Sequence, residues 1–302
     1  MAPLTAFPLP LPPFGPPEGY AYEEYSASEQ SRTTAFNTGI DQRDRFLGQP
    51  RCVVCGDQGN VLQHCHIIPA SRQDKWEDLL ERNWLPPKAK HSVQHEPRNG
   101  LLMCPNHHAH FDKYNFFLRY LPGVRKVVSV NFSGLPSLQR FHGKAIALDI
   151  EDQRAPFPAL FIFQEHYVRA EHLFVPHVHD VPDDPPWQDW ILNDGVLRSD
   201  GKFERARPPL PSAAPNLGIS TEVQESIQRT QRITATNAGG TSRPGYTTLV
   251  MNEDVVAEIL AATRALPTWK ACMLEGTSWT GTAEENTKKY LDIVGAGADD
   301  RE

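Results

Sequence analysis

Two short motifs with the same internal gap constrain this chain more than anything else in it: Cys52-Val-Val-Cys55 and Cys104-Pro-Asn-His107. Two ligand residues three apart on a tight turn can aim both donors at one tetrahedral ion, and Gly56 directly after the first pair suits such a turn. Together the pairs make a Cys₃His set, for which Zn–S bonds of about 2.3 Å and a Zn–N bond of about 2.0–2.1 Å are expected. The competing reading is buried free cysteines beside a solvated histidine, but four such spacings rarely coincide. Cys52, Cys55, Cys65 and Cys104 fall in one window, with Cys272 alone outside it. Seven of the twelve histidines crowd into 64–110: His64, His66, His91, His95, His107, His108 and His110. Five cysteines in 302 residues do not make a disulfide scaffold. The clustering points to a structural zinc in a reducing compartment.

Composition narrows the setting. No run of about 18 apolar residues occurs, so no membrane span is expected. The N-terminus lacks a basic stretch followed by an apolar one, so no secretory signal is expected and the chain reads as intracellular, cytoplasmic or nuclear. The net charge of −7 argues against a wholly electrostatic nucleic-acid binder. Residues 41–130 nevertheless carry 13 Lys/Arg against 9 Asp/Glu, leaving the rest of the chain at −11. The one basic stretch is also the stretch that holds the ligand residues.

Seven prolines before position 18 predict a poorly ordered tail over 1–30. Residues 31–175 read as the folded body. Helices are expected over Ser31–Leu47, Asp74–Trp84, Asn106–Tyr114 and Ala159–Phe174, the last packed over a sheet. Strands are expected over Asn60–Ile68, Gly100–Met103, Phe116–Tyr120, Lys126–Phe132 and Ala145–Ile150, with Pro122-Gly123 as a turn. Residues 176–245 lack a sustained period and read as a largely disordered linker, with one docking segment at Trp187–Leu192. Residues 246–302 read as a short helical C-terminal region, without recognisable chemistry.

Between the two motifs stand His64-Cys65-His66-Ile67-Ile68-Pro69 and Asn99-Gly100-Leu101-Leu102-Met103. His108 follows His107, and Asp112 lies four residues further on. Positions i and i+4 share a helix face, so His108 and Asp112 can hold one ion while His107, about 100° around, faces another. The order of strand ending in His-Ile-Ile-Pro, Asn-Gly-Leu-Leu-Met-Cys, then His-x-x-Phe-Asp resembles the HNH endonuclease family, in its fungal-type branch. The resemblance covers about residues 43–120. It implies an α+β fold with a ββα-metal core at 50–115, stapled by the structural zinc and extended by extra strands and a packing helix. It also implies that His66 is the general base, that Asn99 holds that base, and that His108 and Asp112 bind a catalytic divalent ion, Mg²⁺ or another. The residue before the base is often Asp or His and completes the ion's ligands, but here it is Cys65, a poor ligand for Mg²⁺. Cys65 is then a passive core residue, or the ion is softer, or His64 or water takes that place.

Such a set suits phosphodiester hydrolysis of DNA, with RNA as the alternative substrate. A neutral imidazole takes a proton from water, and a divalent ion stabilises charge on phosphorus and on the leaving oxygen. Asn99 is expected to hydrogen-bond near His66 and fix its tautomer. His110 is expected to pack or meet phosphate, and His91 and His95 to lie on the surface. Arg43, Arg45, Lys88, Lys90, Arg98 and Lys113 are candidates for phosphate contact. Two rival readings are a catalytically inactive, zinc-stapled module that binds nucleic acid or protein, and a scaffold re-used for small-molecule chemistry.

Overall fold

The computed structural model describes residues 27–59, 61–174, 180–206 and 245–294. The proline-rich stretch up to residue 26 and residues 207–244 lie outside them. Helix α1 (Ala27–Arg43) ends four residues earlier than the sequence pattern suggests. The chain then turns through Leu47 and Gly48, at φ of 52° and 78°, to pair β1 (Arg45–Phe46) with β2 (Gln49–Pro50). Two successive left-handed residues are what a two-residue hairpin requires, and here they override the helical pattern.

The next strand, β3 (Gln63–His66), pairs antiparallel with β4 (Gly100–Met103), with His66 opposite Gly100 and Gln63 opposite Met103. The long connection between them carries α2 (Gln73–Glu81) and two single-turn 3-10 helices, Val93–His95 and Pro97–Asn99. Trp76 and Leu79 bury one face of α2, and the Trp76 indole N–H donates to the Lys90 carbonyl at 2.9 Å. Helix α3 (Pro105–Asp112) follows β4 directly and packs against both strands. Its first residue is a proline, which loses nothing there because that N–H has no helical acceptor.

A three-stranded antiparallel sheet comes next, in the order β5 (Phe117–Leu121), β6 (Lys126–Val130), β7 (Lys144–Ala145), with the short α4 (Pro136–Gln139) between β6 and β7. The strand expected over Ala145–Ile150 is a correction: only its first residue pairs in the sheet. Beyond it the chain leaves the sheet, and the Ala147 N–H donates to the Val53 carbonyl between the two cysteines of the first motif. Helix α5 (Pro158–Glu171) packs over β5, as its apolar spacing predicts. The buried Arg119 of β5 pairs with the buried Glu165 of α5, which also takes Arg169 from its own helix at 2.7 Å.

The remaining segments are part of the same body. Residues 180–206, expected within a linker, are instead packed. Here β8 (Asp180–Pro182) pairs with β9 (Tyr246–Thr248), and α6 (Asp189–Asn193) sits on the first cysteine motif. Trp190 donates its indole N–H to the Val54 carbonyl at 3.0 Å, and Ile191, Val196 and Phe203 join Phe46 and Ala147 in a small core. Isolated large side chains anchor this stretch, so it shows no periodicity. Helices α7 (Glu253–Ala265) and α8 (Pro267–Leu274) place Ile259, Leu266 and Cys272 in the main core with Trp76, Phe157 and Phe161. Helix α9 (Ala283–Val294) follows. No helix among the described residues is long and apolar enough to cross a membrane.

Candidate active site

Two clusters of ligand-type side chains meet on α3. The first is Cys52, Cys55, Cys104 and His107, whose donor atoms all lie within 4.8 Å of one another. Its first half is a tight turn: the Gly56 N–H donates to the Cys52 carbonyl at 2.8 Å, and the Cys52 N–H to the Asp57 carbonyl at 2.9 Å. Gly56 has φ of +76°, and a Cβ there would run into the ring of Trp190, so only glycine fits on both counts. The second half is the start of α3, where Cys104 stands at the N-cap and His107 one turn in. Cys52, Cys104 and His107 are buried and Cys55 half-buried. The His107 ring is set edge-on against Phe141 at 4.6 Å.

The donor set fits a tetrahedral zinc. A Zn–S length of about 2.3 Å implies a sulfur–sulfur edge of about 3.8 Å and a sulfur–nitrogen edge of about 3.6 Å. The observed Cys55 Sγ to Cys104 Sγ separation is 3.7 Å, and His107 Nδ1 lies 3.7 Å from Cys52 Sγ and 3.2 Å from Cys104 Sγ. Hydrogen bonds from Cys52 and Cys55 hold Cys104 far below the usual thiol range. Burial pushes Cys52 well up, and the interaction with Cys104 pushes Cys55 to about 11. A divalent ion held there would favour the thiolate form of all three sulfurs.

The second cluster is Cys65, His108 and Asp112, also with donor atoms within 4.8 Å. His108 Nε2 stands 3.3 Å from Asp112 Oδ2, and His108 Nδ1 is 2.8 Å from the side-chain oxygen of Gln63. That oxygen accepts, so Nδ1 carries a hydrogen and Nε2 is the ring atom turned toward Asp112. Strand β3 alternates about this arrangement. Gln63 and Cys65 meet α3, while His64 and His66 meet α1. His64 therefore does not join the second cluster, and its Nε2 pairs with Asp41 of α1 at 2.8 Å.

His66 ends β3. Its ring stacks on Phe36 of α1, with centroids 4.3 Å apart and planes 6° from parallel. Burial lowers its pKa below the ordinary histidine value, and the nearby His108 and His64 act in the same direction, against the Gln94 carbonyl and Asp112. Nε2 faces the Gln94 carbonyl at 3.4 Å. A carbonyl only accepts, so the neutral ring keeps its lone pair on Nδ1.

Asn99 does not bond the His66 ring, which corrects the expected contact. It is fully buried, and its amide accepts from the Ile68 N–H at 2.9 Å and donates to the Ile68 and Val93 carbonyls at 2.9 and 3.2 Å. It thus ties the segment after His66 to the turn whose next carbonyl, that of Gln94, meets the imidazole. Gly100 beside it is required by contact, because a Cβ there would strike Ile40 and Phe36 of α1.

Two candidates for phosphate contact are corrected as well. Arg43 is buried, paired with Asp44 at 2.7 Å and donating to the Gly100 carbonyl at 2.8 Å. Arg98 is buried between Glu96 and Glu275, at 3.1 and 2.5 Å. Arg45, Lys88 and Lys113 are exposed and Lys90 half-buried, with Lys88 bonding Thr277 at 3.1 Å. His110 meets the Asn115 side chain at 3.0 Å at the end of α3. Phe36, Gln63 and Gln94 are the site residues that sequence reasoning missed. Alternation along β3 would have signalled Gln63, two residues from Cys65, whereas nothing local marks Phe36 or Gln94.

A family model described as HNH endonuclease matches residues 52–119. No curated protein and no solved structure matches the chain.

Proposed function

We propose that this chain, whose residues 52–119 match a family model described as HNH endonuclease, hydrolyses DNA phosphodiester bonds on a ββα-metal core. In this reading Cys52, Cys55, Cys104 and His107 hold a structural zinc. The observation that carries the reading is that His66, with Nε2 on the Gln94 carbonyl and Nδ1 left to accept, directly follows Cys65, which clusters with His108 and Asp112.

His66 takes the proton of the attacking water. A half-buried imidazole whose pKa is lowered by desolvation is mostly neutral at pH 7 and so is ready to act, and a positioned base contributes about 10²–10⁴-fold. Phe36 and the Gln94 carbonyl fix the ring's plane and tautomer, and Asn99 fixes the turn that presents that carbonyl. His108 and Asp112 would hold the divalent ion, and Gln63 orients the His108 ring for it. When bound, that ion supplies charge stabilisation at the phosphate and the leaving oxygen. Arg45 and Lys113, both exposed, remain candidates to meet phosphates without reading bases.

The test is plasmid nicking by the full chain with Mg²⁺, Mn²⁺, Co²⁺, Ni²⁺ or Zn²⁺, with His66→Ala beside wild type. Ion-dependent nicking lost in the variant is the expected result. A wild-type chain that nicks under none of these ions, yet binds DNA, would instead favour the zinc-stapled binding module.

A further inference from the structure

We infer that Cys65 is the third protein ligand of the ion held by His108 and Asp112, so that this site selects a borderline transition ion of the zinc–cobalt class over Mg²⁺. The inference rests on the reading of His108 and Asp112 as an ion site, and it adds the identity of the ion.

Three observations carry it. Cys65 lies on the face of β3 that meets α3, and its Sγ shares a sphere of 4.8 Å with a His108 nitrogen and an Asp112 oxygen. The thiol is fully buried, and its hydrogen bond, to the His66 carbonyl at 3.7 Å, is a weak one. The side chains around it are already arranged as ligands, since Gln63 holds the Nδ1 hydrogen of His108 and leaves Nε2 toward Asp112. A purely apolar role for Cys65 needs none of this.

The chemistry of the three donors then decides the ion. Mg²⁺ demands near-octahedral oxygen, and here the protein offers one carboxylate, one imidazole and one sulfur. A set of S, N and O donors suits zinc and its neighbours in the transition series. On binding, the Cys65 thiol proton leaves to solvent and the sulfur becomes a thiolate ligand. With three protein ligands the ion keeps open positions for water and a phosphate oxygen, whereas the four donors of the neighbouring zinc cluster leave none.

Cobalt tests this directly, because a thiolate–cobalt bond gives a near-ultraviolet charge-transfer band that imidazole and carboxylate do not. Full-length protein holding one zinc per chain is titrated with Co²⁺, and its zinc content is measured again afterwards. We expect one further Co²⁺ per chain, with the charge-transfer band and no zinc displaced. In Cys65→Ser the band should vanish and Co²⁺ affinity fall at least about tenfold, since loss of even an outer partner costs that much. Mg²⁺ affinity should hardly change. His108→Ala, made at a half-exposed position, should also remove the band, which serves where the serine variant does not fold. One Co²⁺ bound beside the retained zinc with ligand-field bands alone would overturn the role of Cys65 and leave the His108–Asp112 site standing. No Co²⁺ bound beyond the retained zinc would overturn both.

Discussion

The two ligand clusters share one helix and differ in almost everything else. His107 and His108 are consecutive, yet His107 is buried against Phe141 while the His108 side chain is 23% exposed. One residue step on a helix turns about 100°, which is enough to send one imidazole inward to three sulfurs and the next outward to Asp112. The inward cluster joins a turn at 52–55 to the start of α3 and closes around its centre. The outward one spans β3 and α3 and stays open on one side, with Asp112 exposed. A closed set of four donors suits holding the fold, and an open set of three suits receiving a substrate.

The strongest way to break that comparison is to attack the closed cluster. Cys104→Ser, or strong chelation, should cost the fold itself, because the binding energy of such a metal is folding energy. The expected outcome is loss of the cooperative thermal transition followed by circular dichroism. A variant melting within a few degrees of wild type would show that the cluster is not a staple.

The open cluster and its base should respond without unfolding. His66→Ala should lower cleavage by about 10²–10⁴ at every divalent-ion concentration, with zinc content and DNA binding unchanged. His108→Ala should abolish cleavage at low ion concentration and regain part of it as the ion is raised. If both variants show the same ion dependence, the division of labour between base and ligand fails.

Asp112→Asn should resemble His108→Ala in milder form, since the amide keeps an oxygen but loses the charge. An ion titration of the cleavage rate that coincides with wild type would remove Asp112 from the ligand set. Gln63→Leu should have the smallest effect, an ion affinity lowered by about tenfold with the maximal rate nearly kept, since Gln63 only orients His108. Equal affinities in Gln63→Leu and wild type would mean that His108 needs no such support.

Local pattern made much of this legible. The spacing of Cys52, Cys55, Cys104 and His107 foretold the cluster now seen, because a short gap on a turn or helix start fixes geometry by itself. Strand β4 falls on the expected residues, and α3 begins at Pro105, where a proline-led helix should. What stayed hidden depends on contacts distant in sequence. Arg43 reads as a surface cation until its carbonyl partners are known, and those lie 54 to 111 residues away at Pro97, Gly100 and Arg154. Phe36 is an ordinary aromatic in an ordinary helix until α1 lies on Gly100 and brings the ring onto His66. Asn99 was singled out, but its bonds run to backbone, which no side-chain pattern encodes.

Trp190 lies on the glycine of the first cysteine turn and reaches that turn's backbone from well over a hundred residues downstream. The segment that matches the family is therefore not a portable cassette. Spliced alone into another protein, residues 52–119 would carry an uncovered face at Gly56 and an unanswered carbonyl at Val54. A minimal folded piece cut from this chain around that segment has to bring α6 with it.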